Sequence, residues 1–400
     1  MSTYRALFAI REFRVLFGGQ ANVAGQTMQM LALSALVYAR TASPLLASVA
    51  YLAGFAPRVL GAVTLLSLAD RVPARAFLVT WDVMRAVVAV VLAFGGPSVA
   101  MMLALVMTAG VIDAVGVAVR TALLVEVLPP GMYVLGQSAL NIAVGALQIT
   151  GYAVGGTLLA ALGPRPVLIG SAGVALACAT IDRWGLRRRA PRVGERGSLA
   201  ATWRGNRALF GDRAIRALLL AQWLPCGLIV GAEALYVPYA GADAGVLFTA
   251  AAVGMLTGDL VIGRWVSATL RGRLILPLYV LLATPYLAFL THPATSAAAV
   301  LVAIASFGYA ANLGLQESYV TALPGTLRGQ GLGLAGSGMM TTQALAASAV
   351  GAAAEALGPA MAIAAAATAS LLVTAALVPA LRLRPRPATT LTITHCGERA

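Results

Sequence analysis

Charge is rare enough in this chain that each charged side chain within an apolar run invites a chemical reading. Asp82 and Arg85 lie three residues apart within AFLVTWDVMRAVVAVVLAF (76–94). On a helix that spacing puts them on one face, where they can form a structural ion pair or serve transport directly. Arg58, Asp113 and Glu233 occupy other apolar runs and have no opposite charge one turn away. A charge near the centre of a membrane helix costs about 2.5–3.5 kcal/mol on insertion scales, so each needs a reason to be there. An acid without a partner can take up and release a proton, which makes Asp113 and Glu233, with Asp82, candidates for proton coupling. Arg58 is a candidate for meeting an anionic group on a substrate.

Uncharged polar groups follow helical spacing as well. Asn22, Gln26 and Gln29 fall on one face, and so do Asn141, Gln148 and Tyr152. Turned inward, either set would line a polar cavity; the alternative is hydrogen bonding between helices. Gly145, Gly151, Gly155 and Gly156 would let neighbouring backbones approach closely. Asp259, Glu317 and Glu355 fall near predicted helix ends, where an interfacial acid is unremarkable. Other chemistries find no footing. Three cysteines without paired spacing and two distant histidines offer no metal site or disulfide framework. All 28 basic residues are Arg, and without Lys no phosphate-binding Gly-x-x-x-x-Gly-Lys-Ser/Thr loop can be built. The sequence therefore implies no cofactor and no enzyme, and driving energy must come from a gradient or a partner.

The elements that position these residues follow from composition. Sixty per cent of residues are hydrophobic and ten per cent charged, with a mean hydropathy of +0.86. A soluble domain carries about a quarter charged residues, so this surface cannot face water. Apolar runs of roughly 20 residues predict twelve membrane helices, at 15–38, 44–68, 76–96, 101–119, 137–161, 166–181, 216–239, 244–264, 274–291, 295–316, 332–355 and 359–381. With the N-terminus inside, only Arg40 and Arg165 fall in outer loops and Arg58 and Arg85 within spans, leaving 24 Arg on the inner side. That asymmetry satisfies the positive-inside rule, puts both termini in the cytoplasm and accounts for the net charge of +14 without nucleic acid. No cleavable signal peptide precedes the first run.

The longest polar segment divides the chain nearly in half. The reading is a six-helix bundle over 1–181, a cytoplasmic linker over 182–215, a second six-helix bundle over 216–382 and a disordered cytoplasmic tail over 383–400. Within the linker, Leu199, Trp203 and Phe210 among Arg204 and Arg207 predict an amphipathic helix on the inner leaflet. The bundles repeat: Leu128-Pro129 recurs as Leu323-Pro324, 195 residues later, and DRVPAR (70–75) meets RWVSATLRGR (264–273) at the same offset. Repeated six-helix units with a site where they meet are typical of secondary carriers.

Four stretches carry a family resemblance: LADRVPAR (68–75), RTALLVEVLPPGMYVLGQSALN (120–141), GYAVGG (151–156) and GSLAATWRGNRALFGDRAIRALLL (197–220). Together they resemble the major facilitator superfamily, in the exporter branch that includes macrolide-efflux and enterobactin-export proteins. LADRVPAR is similar to the family's Gly-x-x-x-Asp-Arg-x-Gly-x-Arg turn after the second span, matching at Asp70, Arg71 and Arg75, with Pro73 in place of the later Gly. GYAVGG is similar to the exporter signature Gly-Pro-x-x-Gly-Gly, with Tyr152 in place of Pro. The resemblance implies a gate in which Asp70 contacts the start of the eleventh span near Gly331–Gly333, with Arg71, Arg75 and Arg328 extending the charge cluster.

The expectation is an all-α membrane protein of twelve helices in two pseudo-repeats, acting as a monomer in the inner (cytoplasmic) membrane. It would export a small amphipathic molecule, such as a drug or siderophore, in exchange for protons by alternating access. Import on the same fold is the alternative, followed by a membrane-embedded sensor or enzyme. Its partners are a small-molecule substrate, protons and the lipid bilayer.

Overall fold

The computed structural model describes residues 4–54, 57–58, 72–129, 132–189, 199–324 and 327–381, and these form helices joined by short turns. After two short helices, Tyr4–Ala9 and Arg11–Gly18, come α1 (Asn22–Thr41), α2 (described from Pro44 to Tyr51), α3 (Ala74–Phe94), α4 (Val99–Val127), α5 (Tyr133–Leu162) and α6 (Pro164–Gly185). The second half holds α7 (Leu199–Gly211), α8 (Arg213–Glu233), α9 (Ala244–Trp265), α10 (Ala268–Ala283), α11 (Thr295–Phe307), α12 (Ala311–Ala322), α13 (Arg328–Leu357) and α14 (Pro359–Leu381). No strand occurs among the described residues.

Local chemistry sets the helix ends. Ser43 caps α2 and Ser98 caps α4, each accepting from a first-turn N–H, while Pro44 supplies the fixed φ suited to the first helical position. Asp212 caps α8 through the Ala214 and Ile215 N–H groups at 2.8 and 2.9 Å. The internal repeat reappears at two turns: Gly163 and Gly358, 195 residues apart, adopt φ of +80° and +81°, and each precedes a proline that starts the next helix. Three spans are composite. α8 continues into a short helix over Tyr236–Ala240, α10 runs on as a 3-10 stretch over Thr284–Thr291, and α11 joins α12 through Gly308–Ala310. Pro285 lacks the N–H that would continue α10.

Among the described residues nine helices or composite segments are long and apolar enough to cross a membrane. At 20 and 30 residues α1 and α13 also have the length to cross, but both are rich in small and polar residues. α2 leads into positions outside the described residues. The first span is composite as well: the short helix Arg11–Gly18 runs into α1 through a 3-10 turn over Gly19–Ala21. The sixth runs past 181 to Gly185, drawing Asp182 into the bundle. Outward faces carry large apolar side chains such as Val87 and Phe94 of α3 and Leu372 of α14, as a lipid-facing surface requires. The chain is an all-α, multi-pass membrane protein.

Packing follows the halves. α3 lies on α6 and α1 on α5 and α6; in the second half α8 packs between α13 and α14, and α9 against α11. The halves meet through α5 with α9 and α2 with α13. Below, the end where α1 begins and α14 finishes is the terminal end, and the opposite one is the far end.

Candidate functional site

Two polar centres lie inside the bundle. In the first half, Asp113 of α4 receives a guanidinium on each carboxylate oxygen: Arg85 Nη1 at 3.1 Å on Oδ1 and Arg58 Nη2 at 2.9 Å on Oδ2. Trp81 Nε1 donates to Oδ1 at 2.7 Å, and Gln26 donates to Oδ2 at 3.4 Å while its carbonyl accepts from Arg58 at 3.2 Å. Arg58 also reaches Met340 Sδ of α13 at 3.8 Å, so this centre touches the other half. Two turns of α4 further on, Arg120 pairs with Asp182 of α6 at 3.0 Å, and both are buried. The Trp81 ring lies between the two sets, 5.6 Å from both the Arg85 and the Arg120 guanidinium. Asp82 is fully buried and accepts from Asn22. Three Arg and three Asp thus occupy one half, balanced in charge.

Asp113 and Arg58 were expected to stand alone, yet they bind each other and share Arg85. Residues 55 positions apart on different helices cannot be paired from spacing. Arg85 turns to Asp113 rather than to its helix neighbour Asp82, whose carboxylate faces α1. Asn22 is buried against Asp82 instead of lining a chamber. Asp182 and Arg120, placed by the sequence in the linker and at a span end, form a buried pair.

The second centre holds one acid. Glu233, the last residue of α8, is buried and accepts from Tyr309 Oη at 2.9 Å, and no salt bridge to it occurs among the described residues. Tyrosines surround it from both halves. Tyr51 donates to Tyr152 at 3.1 Å, Tyr236 shares a 2.5 Å hydrogen bond with Tyr286, and Phe248 of α9 stacks on Tyr51 and Tyr152 with centroids 5.6 and 6.4 Å away. Tyr152, expected on a cavity wall, is buried in this aromatic cluster. Tyr38 Oη reaches across the halves to Pro238 O at 3.3 Å.

Close helix contacts flank the cluster at the far end. Gly156 of α5 faces Gly245 and Thr249 of α9, where an added Cβ would lie 2.7 Å from the Gly245 carbonyl oxygen. Gly151 and Gly155 lie against α1, at Thr27 and Met28. Gly145 departs from the packing expectation, because nothing lies within 4 Å of where its Cβ would be. Asn141 and Gln148 are exposed; Asn141 accepts from Gln137 one turn away, and Gln29 is half-buried. Of the gate residues, Asp70 and Arg71 lie outside the described residues, Arg75 is half-buried in the first turn of α3, and Arg328 opens α13. Among the described residues, every hydrogen bond between the halves other than Arg58–Met340 lies in the far-end portion of the bundle.

The N-terminal segment is clipped on at the terminal end. Arg189 binds both carboxylate oxygens of Glu12, at 2.9 and 2.7 Å, and also Glu126 at 3.5 Å. Partial burial pulls the Glu12 carboxyl upward, but the Arg189 and Arg187 hydrogen bonds and charges outweigh it and hold the group below its ordinary 4.5. The linker helix α7 presents Trp203 outward and buries Leu209 against the bundle.

A family model described as Major Facilitator Superfamily matches residues 15–241, more than half of the chain. No curated protein matches the chain. Solved structures with the same fold include the nucleoside transporter NupG, at 10% identity over 93% of this chain and 99% of that one with a TM-score of 0.65. A bacterial homologue of the human lysosomal transporter Spinster superposes at 13% identity over 93% and 95%, TM-score 0.64. The human organic anion transporter MFSD10 (TETRAN) does so at 18% over 92% and 99%, TM-score 0.63. At these identities the likeness is one of fold.

Proposed function

The chain belongs to the Major Facilitator Superfamily and is a membrane transporter, and from that premise we propose that it exports a small amphipathic molecule in exchange for protons by alternating access. The observation that carries the reading is Glu233. It is a buried acid where the halves meet, bonded to one tyrosine hydroxyl and ringed by tyrosines of both halves. A carboxylate held by one neutral donor can be protonated without breaking an ion pair, whereas stripping one partner from a buried pair costs about 3–5 kcal/mol. Proton binding there also alters the charge at the seam that must part when the far end opens.

The Arg distribution argues that the terminal end faces the cytoplasm. The far-end contacts then close the outside, and the site is approached from within the cell, the state in which an exporter would load its cargo. The Arg58–Asp113–Arg85 centre holds the first half rigid and, through Arg58 and Gln26 beside Met340, offers polar contacts to a cargo with an acidic group. The gate carries over from the resemblance: Asp70 on the positive start of α13, with Arg71, Arg75 and Arg328 around it, closing the inner end when the outer one opens.

Proteoliposomes with an imposed pH gradient test this. Candidate dyes and antibiotics are expected to accumulate against their gradient, and a protonophore is expected to abolish the accumulation. Accumulation that survives in Glu233→Gln would overturn the assignment of the proton site, and insensitivity to the protonophore would overturn proton coupling itself.

A further inference from the structure

Glu355 lies in the last turn of α13, near a predicted span end where an interfacial acid has no special meaning, but its carboxylate is spent on the other half of the molecule. Its Oε1 accepts from Ser43 Oγ at 2.5 Å and from the Leu45 backbone N–H at 3.2 Å. Both donors belong to the start of α2. Ser43 is the helix cap, and its Oγ in turn accepts from the Leu46 N–H at 3.1 Å. Leu45 is a first-turn donor with no partner inside its own helix. The acid therefore completes the capping of a helix it does not belong to, where the macrodipole favours negative charge.

One turn back along α13, Gly351 brings the two helices together. A Cβ there would lie 2.9 Å from Ser48 Cβ and 3.0 Å from Leu45 Cα. The close approach and the polar contact share one seam, so Glu355 can reach α2 only while α2 and α13 are pressed together at the far end. No salt bridge to Glu355 occurs among the described residues, so the interaction depends on the α2 cap.

We propose that Glu355 is a gating residue, a latch that holds the far end shut by capping α2 from across the seam. Its exposed position suits the task. When the helices part, the carboxylate, the Ser43 hydroxyl and the Leu45 N–H all pass to water, so release costs little. A buried ion pair at the same place would hold too tightly to cycle. The latch thus biases the closed state by roughly twofold to fivefold in population, the range expected of a charge at an exposed helix start.

The inference rests on alternating access, though not on the identity of the cargo or the coupling ion, and its test uses neither. Leu162→Cys and Leu357→Cys place spin labels on α5 and α13 at the far end, in a Cys396→Ser background; Cys178 and Cys226 are buried. Double electron–electron resonance on the full chain in nanodiscs reads the ratio of separated to closed populations. Glu355→Ala is expected to raise that ratio about twofold to fivefold, Glu355→Gln by less because its carbonyl still accepts, and Ser43→Ala in the same direction. Distance distributions unchanged in all three variants would overturn the latch. A failure of gradient-driven export would leave these distances untouched, so the two readings fall separately.

Discussion

The first half buries charge in pairs, Arg58 and Arg85 on Asp113 and Arg120 on Asp182, with the Trp81 indole between the sets. The second half buries Glu233 beside a tyrosine hydroxyl and has no buried salt bridge among its described residues. The two bundles are pseudo-repeats of one plan, yet a proton meets different obstacles in each. In the first, protonating Asp113 or Asp182 strands a guanidinium in a low-dielectric interior, and Asp82, bonded to the Asn22 amide, is the exception. In the second, it removes a charge that had no counter-charge to lose. A balanced network makes a stiff body, and a solitary acid makes a responsive one. The division assigns shape to the paired groups of the first half and coupling to the solitary acids, Glu233 foremost.

The sharpest way to break that contrast is to remove one member of a buried pair. Arg120→Ala leaves Asp182 unpaired and is expected to destabilise the first bundle by about 3–5 kcal/mol, seen as a collapse of folded yield and of the melting temperature in detergent. Wild-type stability in that variant would show that the network is not structural. Next in size, Glu233→Gln is expected to keep the fold and reduce gradient-driven accumulation more than tenfold, while cargo exchange without a gradient persists. Equal loss of both activities would move Glu233 from coupling to structure. Asp70→Asn is expected to slow transport severalfold at unchanged membrane abundance, and unaltered kinetics would remove the inner gate.

The smallest effect belongs to Glu12, a clip exposed enough for solvent to screen it. Because its folded pKa is depressed, the stability it adds is present above the unfolded value near 4.5 and is lost as pH falls through the lower folded one. Docking of the N-terminal helix, followed by hydrogen exchange over 11–18, should therefore loosen only in that acid window, by a few tenths of a kcal/mol. Loosening at neutral pH would point to a different anchor.

The fold was largely legible because membrane spans are written locally: apolar run length, Gly-Pro turns and an Arg-rich side each need no distant residue. The site was less so. Glu233 could be singled out as a lone acid, and Gln26 and Arg58 as polar groups within spans. Their partners could not, since Arg58 and Asp113, 55 positions apart, meet only once the bundle has folded. Asp82 and Arg85 show the converse hazard: helical spacing permitted a pair, but each side chain found its partner on another helix, Asp82 at Asn22 of α1 and Arg85 at Asp113 of α4. Glu355 was passed over because an acid at a span end satisfies the membrane on its own, and nothing in the sequence reveals the cap waiting across the seam. For Asp182 the signal misled, as a polar residue at the edge of an apolar run reads as loop.

The wedged indole of Trp81 has an optical consequence. Of five tryptophans, Trp184, Trp203 and Trp265 lie exposed, while Trp81 sits against Asp113 and Trp223 donates to the Ala335 carbonyl in the opposite bundle. Each half therefore carries its own buried fluorophore, one flanked by guanidinium groups and the other held by a neutral backbone oxygen. Their emission should differ in colour and in quenching, so a rearrangement confined to one bundle can be watched without attaching a dye.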